Sequence, residues 1–169
     1  DLYCPMVDEV SYDIDFEDCK ALVKKALAPL GEDYAKLLDK AYREQWMDVY
    51  ENKGKTTGAF SCGVFGVHPY VLLNHNDNLS DTFTIAHELG HSMHSFYPNT
   101  NQPAPKSDYS LFVPEVASTC NEATLMRHML QPFADDQKEL AYPLNHFLEP
   151  LRPPAFPLTM LAGFYRIAH

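Results

Sequence analysis

The chain has 169 residues, of which 46% are hydrophobic, a size and composition that fit one domain with its own core. Its 13 basic and 23 acidic residues give a formal net charge of -10, which repels phosphate backbones and anionic lipids, so we expect neither nucleic acid nor membrane as a partner. Without a membrane-length apolar run or a signal-like N-terminus, the sequence predicts a cytoplasmic protein.

The first fifty residues predict supporting helices. Residues 1–14 lack a helical period, and we expect them to run extended. Asp15 is the predicted N-cap of a first helix that Pro29 and Gly31 bring to an end. A second helix is predicted over residues 32–49, with aromatic and aliphatic side chains on one side and charges opposite.

Residues 54–76 lack the helical pattern of the preceding segment, and their composition predicts two strands. The first is rich in glycine, and we expect Gly58, Gly63 and Gly66 to mark bulges or places where another backbone approaches closely. The second covers residues 68–74 and ends in a turn-forming cluster. A strand in this position can pair with an extended peptide, although both strands can equally fill a small sheet.

Residues 78–97 predict the helix that carries the chemistry. His87-Glu88-Leu89-Gly90-His91 matches the H-E-x-x-H pattern. Histidines four residues apart share one helix face and can hold one zinc ion. Glu88 lies about 100° further round the helix, where it can reach a water on the metal and act as a base. Gly90 is a poor helix former, so we expect a strand or second helix to pack closely on it.

Beyond this helix the sequence predicts a loop and two further helical segments. Residues 98–107 have the composition of a loop, and residues 108–131 have a largely apolar helical pattern. Because a proline breaks the interior of a helix, the helix predicted over residues 108–131 either starts near Pro114 or kinks there. Residues 135–169 predict a C-terminal helical segment interrupted by prolines.

A zinc site with two histidines needs a third protein ligand. The metzincin pattern requires glycine and histidine where this chain has His94 and Tyr97, so that class is excluded. The remaining pattern takes a glutamate from a later helix. Glu115 and Glu122 share one helix face, so spacing leaves either as the ligand and the other as a partner that orients a ligand imidazole. We expect His94 to be a buried, hydrogen-bonded residue rather than a fourth ligand.

Several segments together resemble the catalytic segment of oligoendopeptidase F, within the thimet oligopeptidase family. They are residues 54–60, 68–70, 87–94, 108–112 and 115–122, with Gln102 between them. The resemblance implies that Glu115 is the third zinc ligand, which makes Glu122 the orienting partner. It also implies one zinc ion per chain and short peptides as substrates. The candidates for contact with the site or its substrate are Glu122, His94, Gly58, Ala59, His68 and Tyr70.

The predicted fold class is α+β and mainly α-helical, with a zincin-like (gluzincin) core and a small sheet beside the H-E-x-x-H helix. The resemblance implies a larger helical catalytic domain that continues past this segment, so we expect residues 1–169 to form a single partial catalytic domain. Pro114 stands where the family usually has a small residue, and we therefore expect an altered turn before Glu115.

The leading functional hypothesis is a zinc metalloendopeptidase that hydrolyses short peptides, with Glu88 as the general base. Oxyanion donors of the family lie outside this segment, and losing one typically lowers turnover by a factor of about 10² to 10³. The isolated chain is therefore expected to be nearly inactive. The alternative is a zinc-binding but non-catalytic fragment that acts through association, and a structural protein with a relic motif would bind no zinc.

Overall fold

The computed structural model describes residues 13–110 and 112–131, together with residues 144, 145 and 148. The α-helices in this part of the chain are α1 (Phe16–Leu27), α2 (Glu32–Arg43), α3 (Leu79–Asn101) and α4 (Phe112–Leu130). The strands are β1 (Met47–Asp48), β2 (Phe60–Cys62) and β3 (Tyr70–Leu72). The fold is α+β and mainly helical, as predicted.

The chain divides into two compact units. One comprises residues 11–127 and contains the three strands, and the other comprises residues 1–10 and 128–169. The predicted extended segment at the N-terminus and the predicted helical segment over residues 135–169 lie largely outside the described residues. The prediction of a single partial domain over residues 1–169 therefore stays a prediction.

Helix α1 begins as the sequence predicts, because the side chain of Asp15 accepts a hydrogen bond of 2.8 Å from the Asp18 amide. Helix α2 is shorter than predicted. It ends at Arg43, Gln45 adopts a left-handed backbone with φ of 53°, and the chain enters β1 instead of continuing to residue 49. The indole of Trp46 is buried, and the backbone carbonyl of Trp46 accepts a hydrogen bond from the Val71 amide at 2.8 Å. Sheet pairing therefore overrides the helical pattern.

The sheet has the order β1-β3-β2, with β1 parallel and β2 antiparallel to β3. Both predicted strands form, although they are shorter than predicted. Strand β2 lies against α3, where the hydroxyls of Ser61 and Ser92 are 2.8 Å apart. Gly63 makes a close approach, but to a side chain rather than to the backbone that was predicted, since a Cβ there would lie 2.5 Å from the Cβ of Ser95.

Helix α3 begins after Asn78, whose side chain accepts from the Asp81 amide at 2.9 Å. The prediction that a loop starts at residue 98 is wrong, because α3 continues through Pro98 for one further turn. Pro98 cannot donate to the preceding turn. Two side chains add hydrogen bonds in this last turn: Thr100 donates to the Phe96 carbonyl at 2.7 Å, and Asn101 donates to the Tyr97 carbonyl at 2.9 Å.

Helix α4 begins at Phe112, so of the two predicted alternatives, a start near Pro114 or a kink there, the structure shows the start. Pro114 lies in the first turn, where a missing amide hydrogen leaves no helical bond unmade, so Glu115 belongs to a regular helix rather than an altered turn. Apolar character does not mark the buried face of α4. The buried face carries Pro114, Ser118, Asn121, Leu125 and Met126, whereas the apolar side chains of Phe112 and Val116 are exposed.

Most of the core lies between α1, α2, α3 and the sheet. Its largest fully buried apolar side chains are Trp46, Leu27, Leu38, Leu73, Ile85, Leu89, Met93, Leu125 and Val23. This core makes α3 the central element, because α1, α2, β2 and β3 all contact it. Within the described part of the chain, no helix combines the length and apolar character needed to cross a membrane.

The close contact predicted at Gly90 is made by α4. A Cβ at Gly90 would lie 2.6 Å from the Cα of Ser118 and 2.9 Å from the carbonyl oxygen of Ala117. Both are backbone atoms that cannot rotate away, so the two helices meet at a distance that only glycine permits.

Replacing this glycine is expected to destabilise the protein. Gly90→Ala gains up to about 1 kcal/mol in helix propensity, but the methyl group must push α4 away. We expect a net loss of about 1–3 kcal/mol in the free energy of unfolding, measured by denaturant titration followed by circular dichroism. The exposed Ser80→Ala on the same helix is the control and should have little effect. Equal stability of both variants with the wild type would contradict the close contact.

Candidate metal centre

Three side chains from α3 and α4 converge at one point. His87 and His91 project from the same face of α3, and their Nε2 atoms are 3.0 Å apart. Glu115, from the first turn of α4, places Oε2 3.7 Å from His87 Nε2 and Oε1 3.7 Å from His91 Nε2. One ligand atom from each residue lies within 4.8 Å of the other two. The structure therefore brings the predicted pair of histidines together with Glu115.

The donor set fits a zinc ion. Two ligand atoms each about 2.0–2.1 Å from a tetrahedral ion are roughly 3.3–3.4 Å apart. The separation of 3.0 Å between the two Nε2 atoms lies below that value, and the two distances of 3.7 Å, each from one Nε2 atom to a different oxygen of Glu115, lie above it. Two imidazoles and one carboxylate are also the ligand types that zinc prefers, and they leave a further position open. The Glu115 side chain is 59% exposed, so the cluster is accessible to solvent.

Glu122 contacts the other nitrogen of His87. Its Oε1 lies 2.8 Å from His87 Nδ1. This hydrogen bond is the main cause that raises the pKa of His87, and burial works against it. When Nδ1 carries the proton and donates to Glu122, the Nε2 lone pair points at the cluster. Of the two glutamates that spacing left open, Glu115 thus faces the cluster and Glu122 lies behind a histidine.

Glu88 is the most enclosed carboxylate of the group, with 7% of its surface exposed. Burial raises its pKa, and the negative charges of Glu115 and Glu122 add to this effect while His87 opposes it. Its Oε2 is buried and has no hydrogen-bond partner among the described residues. An unpaired buried carboxylate oxygen is costly, which favours a water or substrate group as its partner at this point. His91 differs from His87, since burial lowers its pKa and nearby His87 lowers it further.

Ser118 contacts both Gly90 of α3 and Glu115 of the histidine cluster. It lies against Gly90, is fully buried, and its hydroxyl is 3.1 Å from both the carbonyl oxygen and Oε2 of Glu115. Neither Ser118 nor Asn121 is among the site residues that the sequence predicts. The available signal was their spacing, because both occupy the face of α4 that carries Glu115 and Glu122.

The candidate substrate residues lie in two separate places. Gly58, in a turn with φ of 85°, and Ala59 precede β2 and line a cavity of about 380 Å³ together with Thr84 of α3. His68 stacks on Trp46 with ring centroids 5.4 Å apart and contacts Tyr70 at 4.5 Å. Tyr70 lines a different cavity, of about 730 Å³, between the sheet and α1. The structure does not bring this second pair to the histidine cluster.

His94 is not part of the converging set. Its ring packs edge-on against Tyr109 with centroids 4.5 Å apart, and the side chain is only half-buried. Its Nε2 is buried, yet no residue in the described ranges accepts or donates a hydrogen bond there. The predicted hydrogen bond is therefore missing at Nε2, although this atom is buried as predicted, and burial lowers the pKa of the ring.

Comparisons of the sequence with known proteins agree with this arrangement. The sequence model of Peptidase family M3 matches residues 9–161. The chain is 46% identical over its whole length to Oligopeptidase PepF of Bacillus subtilis and 37% identical to an Oligoendopeptidase F homolog of Lactococcus lactis. It covers 25% of the first protein and 28% of the second, so it spans about a quarter of the length of these curated relatives.

Solved structures give the same fold. A peptidase from Chlamydophila abortus superposes with a TM-score of 0.84 at 39% identity, covering 98% of this chain and 28% of that one. PZ peptidase A, solved with an inhibitor, superposes with a TM-score of 0.63 over 71% of this chain and 22% of its own. At 18% identity, the second likeness concerns the fold alone.

Substituting the two glutamates on α4 is expected to lower metal affinity by different amounts. Glu122→Gln leaves the three converging side chains intact but weakens the hold on His87, so we expect zinc affinity to fall about 10- to 100-fold. Glu115→Gln removes a converging carboxylate and should cost more. A competition titration with a chromogenic chelator measures both losses. Glu32→Gln, an exposed change at the start of α2, is the control, and identical affinities for it and Glu122→Gln would contradict the role of Glu122.

Proposed function

Because the chain belongs to Peptidase family M3, we propose that it forms the metal-binding core of a zinc metalloendopeptidase acting on short peptides. The observation that carries the proposal is the convergence of His87, His91 and Glu115, with the buried carboxylate of Glu88 on the same helix. Relatives named as oligopeptidases and oligoendopeptidases support the reaction class.

His87 and His91 would hold one zinc ion through their Nε2 atoms, and Glu115 through a carboxylate oxygen. When bound, zinc supplies Lewis acidity and lowers the pKa of a coordinated water. The chain's own contribution to proton transfer is Glu88. Its Oε2, which lacks a partner in the described part of the chain, accepts a proton from the attacking water and later donates it to the leaving amine.

Glu122 acts on the ligand rather than on the substrate. By accepting from His87 Nδ1 at 2.8 Å, it fixes the imidazole orientation and the tautomer that presents Nε2. Ser118 has a parallel role for Glu115, since its hydroxyl lies 3.1 Å from Oε2. His87 and Glu115 are thus each held by a second contact with a side chain of α4.

We infer that an extended peptide binds along β2. Among the described residues, β2 is hydrogen-bonded to β3 on one side only, which leaves main-chain groups on its other side. Gly58 and Ala59 precede this strand and share a cavity with Thr84, one helical turn before Glu88. Main-chain pairing tolerates many side chains, which suits an enzyme acting on varied short peptides.

The second candidate function is a zinc-binding segment that does not itself catalyse. It is favoured by the apolar side chains exposed at the start of α4. Phe112 is 79% exposed and Val116 is 56% exposed, which is typical of a surface that another part of a protein covers. Short-peptide substrates and a cytoplasmic location stay predictions.

The role of Glu88 is tested by an isosteric substitution. Glu88→Gln removes the proton acceptor without changing the converging ligands, so we expect one zinc per chain and no cleavage of a quenched fluorescent peptide. Zinc content is measured by atomic absorption, and cleavage is measured at high protein concentration to detect weak turnover. Retained cleavage in the variant would rule out Glu88 as the base. Zinc uptake without turnover in the wild-type chain would favour the second candidate function.

A further inference from the structure

A hydrogen-bonded bridge connects three helices behind the metal centre. The hydroxyl of Tyr34 on α2 donates to Asn121 Oδ1 on α4 at 2.9 Å. Asn121 Nδ2 in turn donates to the carbonyl of Ala86 on α3, also at 2.9 Å. Asn121 is 1% exposed, so both ends of its amide are satisfied inside the protein. Burial raises the pKa of Tyr34 to about 12, which keeps its hydroxyl protonated as a donor.

The bridge lies directly beside the metal-binding residues in the sequence. Ala86 immediately precedes His87, and Asn121 immediately precedes Glu122. The Asn121–Ala86 bond and the Glu122–His87 bond are therefore neighbouring links between the same two helices. A shift of α4 that lengthens one of them must also change the other.

Packing alone does not fix this register. The Gly90–Ser118 contact brings the helices close together, but contact between small residues does not specify how far one helix has slid along the other. A slide of one residue is about 1.5 Å, enough to break a hydrogen bond of 2.8 or 2.9 Å. Directional bonds from a buried amide resist such a slide, because breaking them leaves polar groups without partners.

We propose that Asn121, held by Tyr34, is a positioning residue that sets the register of α4 on α3. It thereby determines where Glu115 and Glu122 lie relative to His87 and His91. The inference rests on the proposed metal site for its functional meaning, but the register itself is a property of the metal-free chain. Asn121 touches neither metal nor substrate and acts through the two glutamates.

Tyr34→Phe is the most conservative test, because it removes one hydroxyl and keeps the ring. Tyr42→Phe is a matched control on the same helix. The Tyr42 hydroxyl is buried but has no hydrogen-bond partner among the described residues, so its removal should cost nothing. Asn121→Ala removes the whole bridge, and circular dichroism establishes that each variant is folded at the temperature of the measurements.

Two measurements separate positioning from general stability. The first is the affinity and visible absorption spectrum of cobalt(II), whose band intensities report the coordination geometry. The second is nitrogen NMR of the metal-free chain in alkaline buffer, which reports whether His87 keeps its proton on Nδ1. Loss of stability alone changes neither quantity in a folded protein.

We expect Tyr34→Phe to weaken cobalt binding about tenfold, to alter its spectrum and to mix the two His87 tautomers, whereas Tyr42→Phe changes none of them. Asn121→Ala should have a larger effect if it folds. Wild-type values in Tyr34→Phe for affinity, spectrum and tautomer would overturn the proposal. If the wild-type chain takes up no cobalt, the proposed metal function fails, and the tautomer measurement alone then decides whether Asn121 sets the register.

Discussion

The contact between the backbones of α3 and α4 at Gly90 is the constraint on which the metal centre depends. Every residue that α4 contributes to the site lies within about one turn of this point, so the separation of the helices sets the reach of Glu115 and Glu122. A larger residue at position 90 would require longer side chains on α4. Ser118 and Asn121 then fix the positions of Glu115 and of α4 on α3 through directional hydrogen bonds.

The charges at the candidate site favour a cation. Burial raises the pKa of Glu88, and the negative charges of Glu115 and Glu122 raise it further. The imidazoles offset this repulsion only in part, since His91 is held towards its neutral form by burial. A dication placed between Nε2 atoms and carboxylate oxygens would remove both the repulsion and the unfavourable approach of lone pairs. Binding it would also stabilise the folded state by mass action.

Sequence reasoning predicted the elements whose signals are local. The H-E-x-x-H spacing, the cap at Asp15 and the glycine at position 90 each act over one or two turns, and the structure confirms the helix, the cap and the close contact. It failed where long-range pairing decides. Residues 46–48 look helical by pattern but join a sheet with partners more than twenty residues away.

Helix α4 shows the second kind of failure. Its apolar pattern does not reveal which face is buried: Phe112 and Val116 are exposed, whereas the buried face carries Ser118 and Asn121 beside Pro114, Leu125 and Met126. Hydropathy cannot reveal that a helix buries polar groups because their partners sit on a neighbouring helix. The bridge through Asn121 could not be predicted for the same reason, since Tyr34 and Ala86 are far from it in the sequence.

The packing of β2 against α3 constrains the length of this strand more than its composition. The hydroxyls of Ser61 and Ser92 are in contact, and the gap at Gly63 is narrow. Inserting a single residue into β2 would turn every later side chain to the opposite face of the sheet. In the evolution of this segment, substitutions along β2 should therefore be tolerated more readily than odd-numbered insertions or deletions.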